Sequence, residues 1–92
     1  RVSSVLRDIA TLYRVSEASL LQGKRGKRNE ARQVAMYLAK NLTSLSYPDI
    51  GRQFGGRDHT TVMHAVKTIE SLSKSDGQLA EDVQLLKSIL AG

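Results

Sequence analysis

The apolar residues of this chain recur at every third or fourth position, and this helical spacing constrains the fold more than any other feature of the sequence. The first such repeat, in residues 2–14, consists of Val2, Val5, Leu6, Ile9, Leu12 and Tyr13. Aromatic residues make up only 4% of the chain and Trp is absent, so aliphatic side chains must build the core. That composition suits packed helices better than a sheet. We therefore expect an all-α fold of five to six helices.

Capping residues and breaks divide the repeat into separate helices. Helices are expected over 2–14, over a short stretch with Leu20 and Leu21 behind a Ser16 cap, over 29–43, over 47–54 behind a Ser46 cap, over 58–72, and after an Asp76 cap. Residues 73–77 are predicted to be a polar break between the last two helices. The buried stripes of these two helices are expected to reach Leu72 and Ile89.

The 92 residues fit one domain spanning 1–92. The chain has no Cys, so disulfides and thiolate metal sites are excluded, and this composition suits a cytosolic protein. No apolar run is long enough to span a bilayer. Since the chain starts at Arg1 without a Met, we expect it to be a fragment or one domain of a longer protein.

Positive charge is concentrated in the middle of the chain. Residues 24–67 carry nine Lys or Arg against three acidic residues, whereas residues 76–92 carry three acidic residues against one Lys. A basic centre beside an acidic tail indicates an anionic partner on one face, and nucleic acid is the first candidate. A solvated surface that is basic without function is the alternative.

Residues 46–72 have the pattern of a helix-turn-helix motif, with a short helix, a turn containing two glycines, and a longer helix that begins at Asp58. In that motif the second helix enters the major groove of DNA and its N-terminal residues meet base edges. Tyr47 and Pro48 stand at the N-terminus of the first helix, which approaches the DNA backbone or the groove edge. Helical hairpins that do not bind DNA share this pattern, so the composition of the second helix decides between them.

The first turn of the second helix reads Asp58-His59-Thr60-Thr61. An Asp can accept a hydrogen bond from cytosine N4, and a Thr methyl can pack on a thymine methyl. Asp58 is also a good N-cap, so base reading and capping are both open at this position. Further along, Lys67 can meet phosphate, whereas a structural or neutral role is favoured for His64.

A basic loop precedes the helix 29–43. Its cations are Lys24, Arg25, Lys27 and Arg28, and Arg32 and Gln33 follow one turn inside the helix. A flexible basic arm beside a helix-turn-helix can insert an Arg into a narrow A·T minor groove. Arg loses its hydration more readily than Lys, which favours Arg25 or Arg28 over Lys24. Unspecific phosphate contact by a solvated loop is the alternative.

Two other classes of function compete with DNA binding. A metal-dependent nuclease could use Asp58, His59 and His64, but histidines five apart on one helix diverge by roughly 140° at the 100° helical step. Helical ligand pairs are four apart, and no paired carboxylates stand elsewhere for acid–base work, so we expect no enzyme and no metal. The remaining class is a protein-interaction module whose basic face meets an acidic protein, or whose acidic C-terminal helix docks a regulator.

Three blocks of the sequence together match the pattern of one known family. The most specific block is Gly55-Gly56-Arg57-Asp58-His59-Thr60-Thr61-Val62-Met63-His64-Ala65, which resembles the signature of the DnaA-type bacterial replication initiators. The run from Ala31 to Ala39 is similar to the family's Pro-Arg-Gln-Ile-Ala-Met-Tyr-Leu segment, and Tyr47-Pro48-Asp49-Ile50-Gly51 with Phe54 is similar to its Leu-Pro-Glu-Ile-Gly…Phe segment. The similarity extends from the first helix to Leu72.

The resemblance implies a C-terminal domain that binds double-stranded DNA at the nine-base-pair DnaA box, of TTATNCACA type, to initiate chromosome replication in the bacterial cytoplasm. Residues 1–15 would then include the connecting helix. By motif position, Asp58 to Thr61 would read the box or fix the adjacent backbone, and the neighbouring Arg57 would also contact DNA. Arg32 and Gln33 would hold phosphate, Pro48 would lie near the backbone or a thymine, Lys67 would lie near phosphate, and the loop would supply a minor-groove Arg.

The family also has an upstream AAA+ module that binds ATP and oligomerises. No Walker-type Gly-rich loop occurs here, so we expect no cofactor in this domain, a monomer in isolation, and contacts with regulatory proteins. The sequence departs from the family pattern at Ala31, where Pro is usual, at Glu30, and in the spacing of the loop that begins at Lys24. A divergent paralogue or a transposase-associated regulator with a different DNA site is the alternative function.

Overall fold

The computed structural model describes residues 7–11 and 27–91, with side chains for 7–11 and 30–90. Within those ranges residues 7–11 are helical and four helices follow: α1 (Lys27–Leu42), α2 (Tyr47–Gln53), α3 (His59–Ser75) and α4 (Gly77–Ala91). No strand occurs among the described residues, so the all-α expectation is confirmed. The expected cap and helix at Ser16, Leu20 and Leu21, and the loop residues up to 26, lie outside the described residues.

Helix α2 begins at the expected cap. The backbone N–H of Asp49 donates to Oγ of Ser46 at 3.2 Å, and the Ser46 hydroxyl donates to Oδ2 of Asp49 at 2.9 Å. Pro48 occupies the first turn, where no N–H is needed, and Asp49 faces the positive end of the helix dipole. At the other end the N–H of Phe54 donates to the carbonyls of Ile50 and Gly51.

Backbone contact joins α2 to the turn before α3. Gly55 and Gly56 have φ values of 80° and 76°, the left-handed region that favours glycine. The N–H of Arg57 then donates to the carbonyl of Gly51 at 2.8 Å. A Cβ on Gly51 would come closer than 3.0 Å to the Arg57 carbonyl oxygen, so only glycine fits at this buried position. Three glycines thus fix the angle at which α3 leaves α2.

The core lies where α3 packs against α1, α2 and α4. Its largest fully buried side chains come from every described element, and they are Ile9, Val34, Met36, Leu38, Ile50, Phe54, Val62, Ile69 and Leu86. Helix α4 also touches α1 through Lys87, whose Nζ lies 3.4 Å from the hydroxyl of Tyr37 and 5.2 Å from its ring centroid. This packing holds the N-terminal turn of α3 beside α1.

The helix bounds differ from the prediction at both ends of α1, at the end of α2, which is Gln53 and not residue 54, and at the end of α3. Helix α1 begins at Lys27, so Lys27 and Arg28 belong to its first turn and not to a loop. Lys and Arg both have favourable helix propensity, and Glu30 complements the positive end of the helix dipole. Helix α1 ends at Leu42, one residue before the expected end.

Helix α3 continues to Ser75, because only Asp76 interrupts it. The N–H of Asp76 donates to the Leu72 carbonyl at 2.8 Å, and its carboxylate accepts from the Leu79 N–H at 3.2 Å. Asp76 therefore ends α3 and caps α4, which confirms its predicted capping role. The break between the two helices is this one residue and not the predicted 73–77.

Two residues expected in the core lie at the surface: Leu72 is 39% exposed and Ile89 is 56% exposed. In α3 the buried stripe passes from Ile69 to the half-buried Ser73, which leaves Leu72 to one side. In α4 the buried stripe passes from Leu86 to Leu90, which packs on the core. Ile89 is the neighbour of Leu90 on the helix, so its side chain points about 100° away from that of Leu90.

None of the helices described is long and apolar enough to cross a membrane.

Candidate nucleic-acid interface

Asp58 caps α3, as its position in the sequence predicts. Its backbone is extended, with φ −65° and ψ 146°, and its Oδ1 accepts from the Thr60 N–H at 3.4 Å. Its Oδ2 accepts from the Thr60 hydroxyl at 2.7 Å. These hydrogen bonds from Thr60, with a further contribution from the nearby His59, hold the pKa of the Asp58 carboxyl below its ordinary value. The group is therefore a carboxylate at neutral pH.

The four side chains of the first turn of α3, Asp58 to Thr61, are all exposed. The His59 ring lies beside the cap, with Nδ1 3.1 Å from Oδ1 of Asp58. An exposed turn that presents a carboxylate, an imidazole and two hydroxyls offers both hydrogen-bond donors and acceptors to a large ligand. Asp and Thr are among the residue types that contact base edges in the major groove.

A cleft of about 570 Å³ opens between α1 and α3. Its lining residues are Arg32, Gln33 and Met36 from α1, and Thr60, Thr61, His64 and Ala65 from α3. The structure therefore brings together Arg32 and Gln33, predicted to hold phosphate, with two of the residues predicted to read bases. These two groups are separated by more than twenty positions in the sequence.

His64 also lines this cleft, with an exposed side chain, although its sequence context favoured a structural or neutral role. The spacing contained the signal, since His64 follows Thr60 by four residues and Thr61 by three and therefore shares their face of the helix. Met36 stands in the same relation to Arg32 and Gln33 on α1.

Arg32 is the one charged side chain among the buried residues described, with 8% of its surface exposed. Burial lowers the pKa of its guanidinium, and the positive charge of Arg57 lowers it further. Arg remains charged at neutral pH, so Arg32 and Arg57 are two cations close enough for their charges to interact. Such a concentration of positive charge attracts an anion such as phosphate.

The other predicted contacts lie around this centre. Lys67 is exposed and lies seven residues after Thr60, nearly in line with it along α3. Pro48 is exposed, and the half-buried Tyr47 carries the ammonium of Lys40 4.7 Å above its ring centroid. The side chains of Lys24, Arg25, Lys27 and Arg28 lie outside the described residues, so the minor-groove contact stays a prediction.

Across 7–11 and 27–91, no three His, Cys, Asp or Glu side chains come together in a group that could hold a metal ion.

A short helix, a glycine turn and a second helix with an exposed polar first turn define the class of this protein as a helix-turn-helix domain. Comparison with known families narrows that class. The family model described as "Bacterial dnaA protein helix-turn-helix" matches residues 2–69. The chain belongs to this family.

Its relatives include three proteins named chromosomal replication initiator protein DnaA. The chain is 51% identical over 90 residues to that of Ruegeria pomeroyi, covering 97% of this chain and 19% of the relative. It is 52% identical to that of Xanthobacter autotrophicus, covering 97% and 18%, and 50% identical to that of Brucella abortus, covering 98% and 18%. The chain thus spans about a fifth of the length of these relatives.

Proposed function

We propose that this chain is the origin-binding domain of a bacterial replication initiator and that it binds double-stranded DNA sequence-specifically at DnaA boxes. The observation that carries the proposal is the cleft between α1 and α3 in a member of the DnaA helix-turn-helix family. There a buried Arg and a Gln face the exposed first turn of the second helix. This arrangement supports phosphate binding by Arg32 and Gln33 beside a first turn of α3 that contacts bases.

The base-reading part is the first turn of α3, placed in the major groove. Asp58 accepts a hydrogen bond from a cytosine amino group, Thr60 faces a base edge, and the methyl group of Thr61 packs on a thymine methyl. His59, exposed beside Asp58, contacts the neighbouring base or sugar. The exposure of all four side chains supports this role, because none must leave the core to reach DNA.

The phosphate-binding part surrounds this turn. Arg32 and Gln33 hold a phosphate at the cleft, with Arg57 adding positive charge from the turn. Lys67 meets the backbone further along α3, and the N-terminus of α2, with Tyr47 and Pro48, approaches it from the other side.

The basic residues 24–28, which extend into the first turn of α1, supply the second half of the recognition. One Arg of Arg25 or Arg28 enters the adjacent minor groove, and the neighbouring Lys24 and Lys27 contact phosphate. The negative potential of a narrow A·T groove favours an Arg there.

The domain acts in the bacterial cytoplasm, at the nucleoid, as a binding module without catalytic activity. It needs no cofactor of its own, since ATP is handled by the AAA+ module of the longer protein. Alone it is a monomer, and oligomerisation and regulatory partners involve the rest of the initiator.

Fluorescence anisotropy at physiological salt tests the proposal with a duplex that bears one DnaA box and a scrambled duplex of equal composition. We expect the box to bind tighter by about 10³-fold or more, the lower range for specific over non-specific sites. Equal affinities would overturn the proposal. Selection of bound sites from a random duplex pool distinguishes the alternative, since a divergent paralogue or transposase-associated regulator would enrich an unrelated sequence.

A further inference from the structure

We propose that Asp58 is a positioning residue for Thr60: its carboxylate takes the Thr60 hydroxyl hydrogen and makes that hydroxyl an acceptor toward DNA. The proposal rests on the proposed function and specifies how the first turn of α3 chooses its bases. It follows from the 2.7 Å hydrogen bond between the Thr60 hydroxyl and Oδ2 of Asp58.

The direction of this hydrogen bond is fixed by the chemistry of its partners. An ionised carboxylate has no hydrogen and only accepts, whereas a Thr hydroxyl has one hydrogen and two lone pairs. The hydrogen between Oγ1 of Thr60 and Oδ2 of Asp58 therefore belongs to Thr60. A free hydroxyl rotates to suit any partner, but this one retains only lone pairs for a ligand.

Two further contacts keep the carboxylate in place. Oδ1 of Asp58 accepts from the Thr60 backbone N–H at 3.4 Å and lies 3.1 Å from Nδ1 of His59. Thr60 is β-branched, so its side chain has few rotamers in a helix. Since a carboxylate offers about four lone-pair sites and these contacts use three, Asp58 retains one site on Oδ2 that can accept from a cytosine amino group. Positioning Thr60 and reading a base are thus compatible.

A hydroxyl that can only accept discriminates between bases. In the major groove, cytosine N4 and adenine N6 are donors, whereas the polar atoms of guanine and thymine are acceptors. Thr60 is therefore satisfied opposite the amino group of cytosine or adenine. Opposite guanine or thymine, the lone pairs of Oγ1 of Thr60 would face acceptor atoms of the base. Those bases are excluded because the contact is repulsive and because a hydrogen bond is lost.

The substitution Asp58→Asn tests this polarity directly. Asn caps helices about as well as Asp and keeps one carbonyl oxygen for the Thr60 N–H. Its amide nitrogen is a donor, however, and facing Oγ1 it turns the Thr60 hydrogen outward. Thr60→Val removes the hydroxyl and keeps the shape, Thr60→Ser keeps the hydroxyl, and Thr61→Val is the matched control on the neighbouring exposed residue.

Anisotropy is measured for these variants against a set of box duplexes in which each base pair is replaced by the other three. For the wild type and Thr60→Ser we expect one position to favour cytosine or adenine over guanine or thymine by at least about fivefold, the lower range for one base contact. Asp58→Asn should abolish or reverse that preference. At that base position, Asp58→Asn should have no effect in the Thr60→Val background. The effects of Asp58→Asn and Thr61→Val should instead be additive.

Additive effects of Asp58→Asn and Thr60→Val at every position would overturn the positioning role, and so would a Thr60→Val variant that keeps the full base preference of the wild type. This second result is independent of whether Asp58→Asn folds. Failure of the proposed function is a different result, since the wild type would then bind the box and the scrambled duplex equally.

Discussion

The close approach of α2 to the turn before α3 makes Gly51 the position where the smallest substitution should have a large effect. A Cβ on Gly51 would come within 3.0 Å of the Arg57 carbonyl oxygen, 3.2 Å of its carbon and 3.7 Å of the Asp58 carbonyl carbon. All three neighbours are backbone atoms, which cannot move aside by rotating a side chain. Gly51→Ala must therefore push α2 and the turn apart.

The size of the effect follows from three contributions. Overpacking a buried site costs about 1–3 kcal/mol. Separation also stretches the 2.8 Å hydrogen bond from the Arg57 N–H to the Gly51 carbonyl, and an unmade buried hydrogen bond costs about 1–3 kcal/mol. Alanine recovers about 1 kcal/mol through its helix propensity. We expect a net loss of about 3 kcal/mol in the free energy of unfolding, the midpoint of a summed range of about 1–5 kcal/mol.

Thermal and urea denaturation followed by circular dichroism measure this loss, which for a domain of this size lowers Tm by ~10 °C or more. Gly77→Ala is the matched control. It also adds one methyl to a helical glycine, but a Cβ there meets nothing within 4 Å. We expect Gly77→Ala to be neutral or slightly stabilising. Equal stability of the two variants would refute the steric reasoning at Gly51.

Three other predictions address the core, the interface and the pH dependence. Phe54→Ala, which removes a fully buried ring, should cost about 3–5 kcal/mol in urea denaturation; a loss under 1 kcal/mol would mean that the core is elsewhere. Lys67→Ala should weaken all duplexes alike and reduce the slope of log affinity against log salt by about one in anisotropy titrations; a sequence-dependent loss would indicate base contact. Asp49 and Asp58 have lowered pKa values in the fold, caused first by the hydrogen bonds from Ser46 and Thr60. Their stabilising effect is therefore complete above the unfolded carboxyl pKa near 4 and is lost as pH falls through the folded values. Thermal melts should show stability declining below about pH 4, with a shallower decline for Asp58→Ala; identical profiles would contradict the cap.

Local chemistry was predictable from the sequence. The caps at Ser46, Asp58 and Asp76 and the glycine turn after Phe54 depend on a few neighbouring residues, and the structure has each of them. The family motif likewise lies in one continuous run, Gly55 to Ala65, so the residue order alone is enough to recognise it.

Features that depend on packing between helices were not predictable in the same way. Leu72 and Ile89 continue an apolar repeat, but which side of a helix end is covered depends on where the neighbouring helix lies. The need for glycine at position 51 arises from the Arg57 backbone, six residues away. The cleft joins Arg32 to Thr60 only through the packing of α1 on α3, so His64 entered the candidate site through the structure.

The first turn of α3 and the cleft that it shares with α1 form the proposed DNA-binding surface. Amide chemical-shift mapping of the isotope-labelled domain, titrated with a DnaA-box duplex, tests it most directly. We expect the largest shifts at residues 57–61 and at Arg32, Gln33 and His64, with the amides of Leu85 and Ser88 on α4 nearly unchanged. Shifts concentrated on α4, with 57–61 unmoved, would contradict the account.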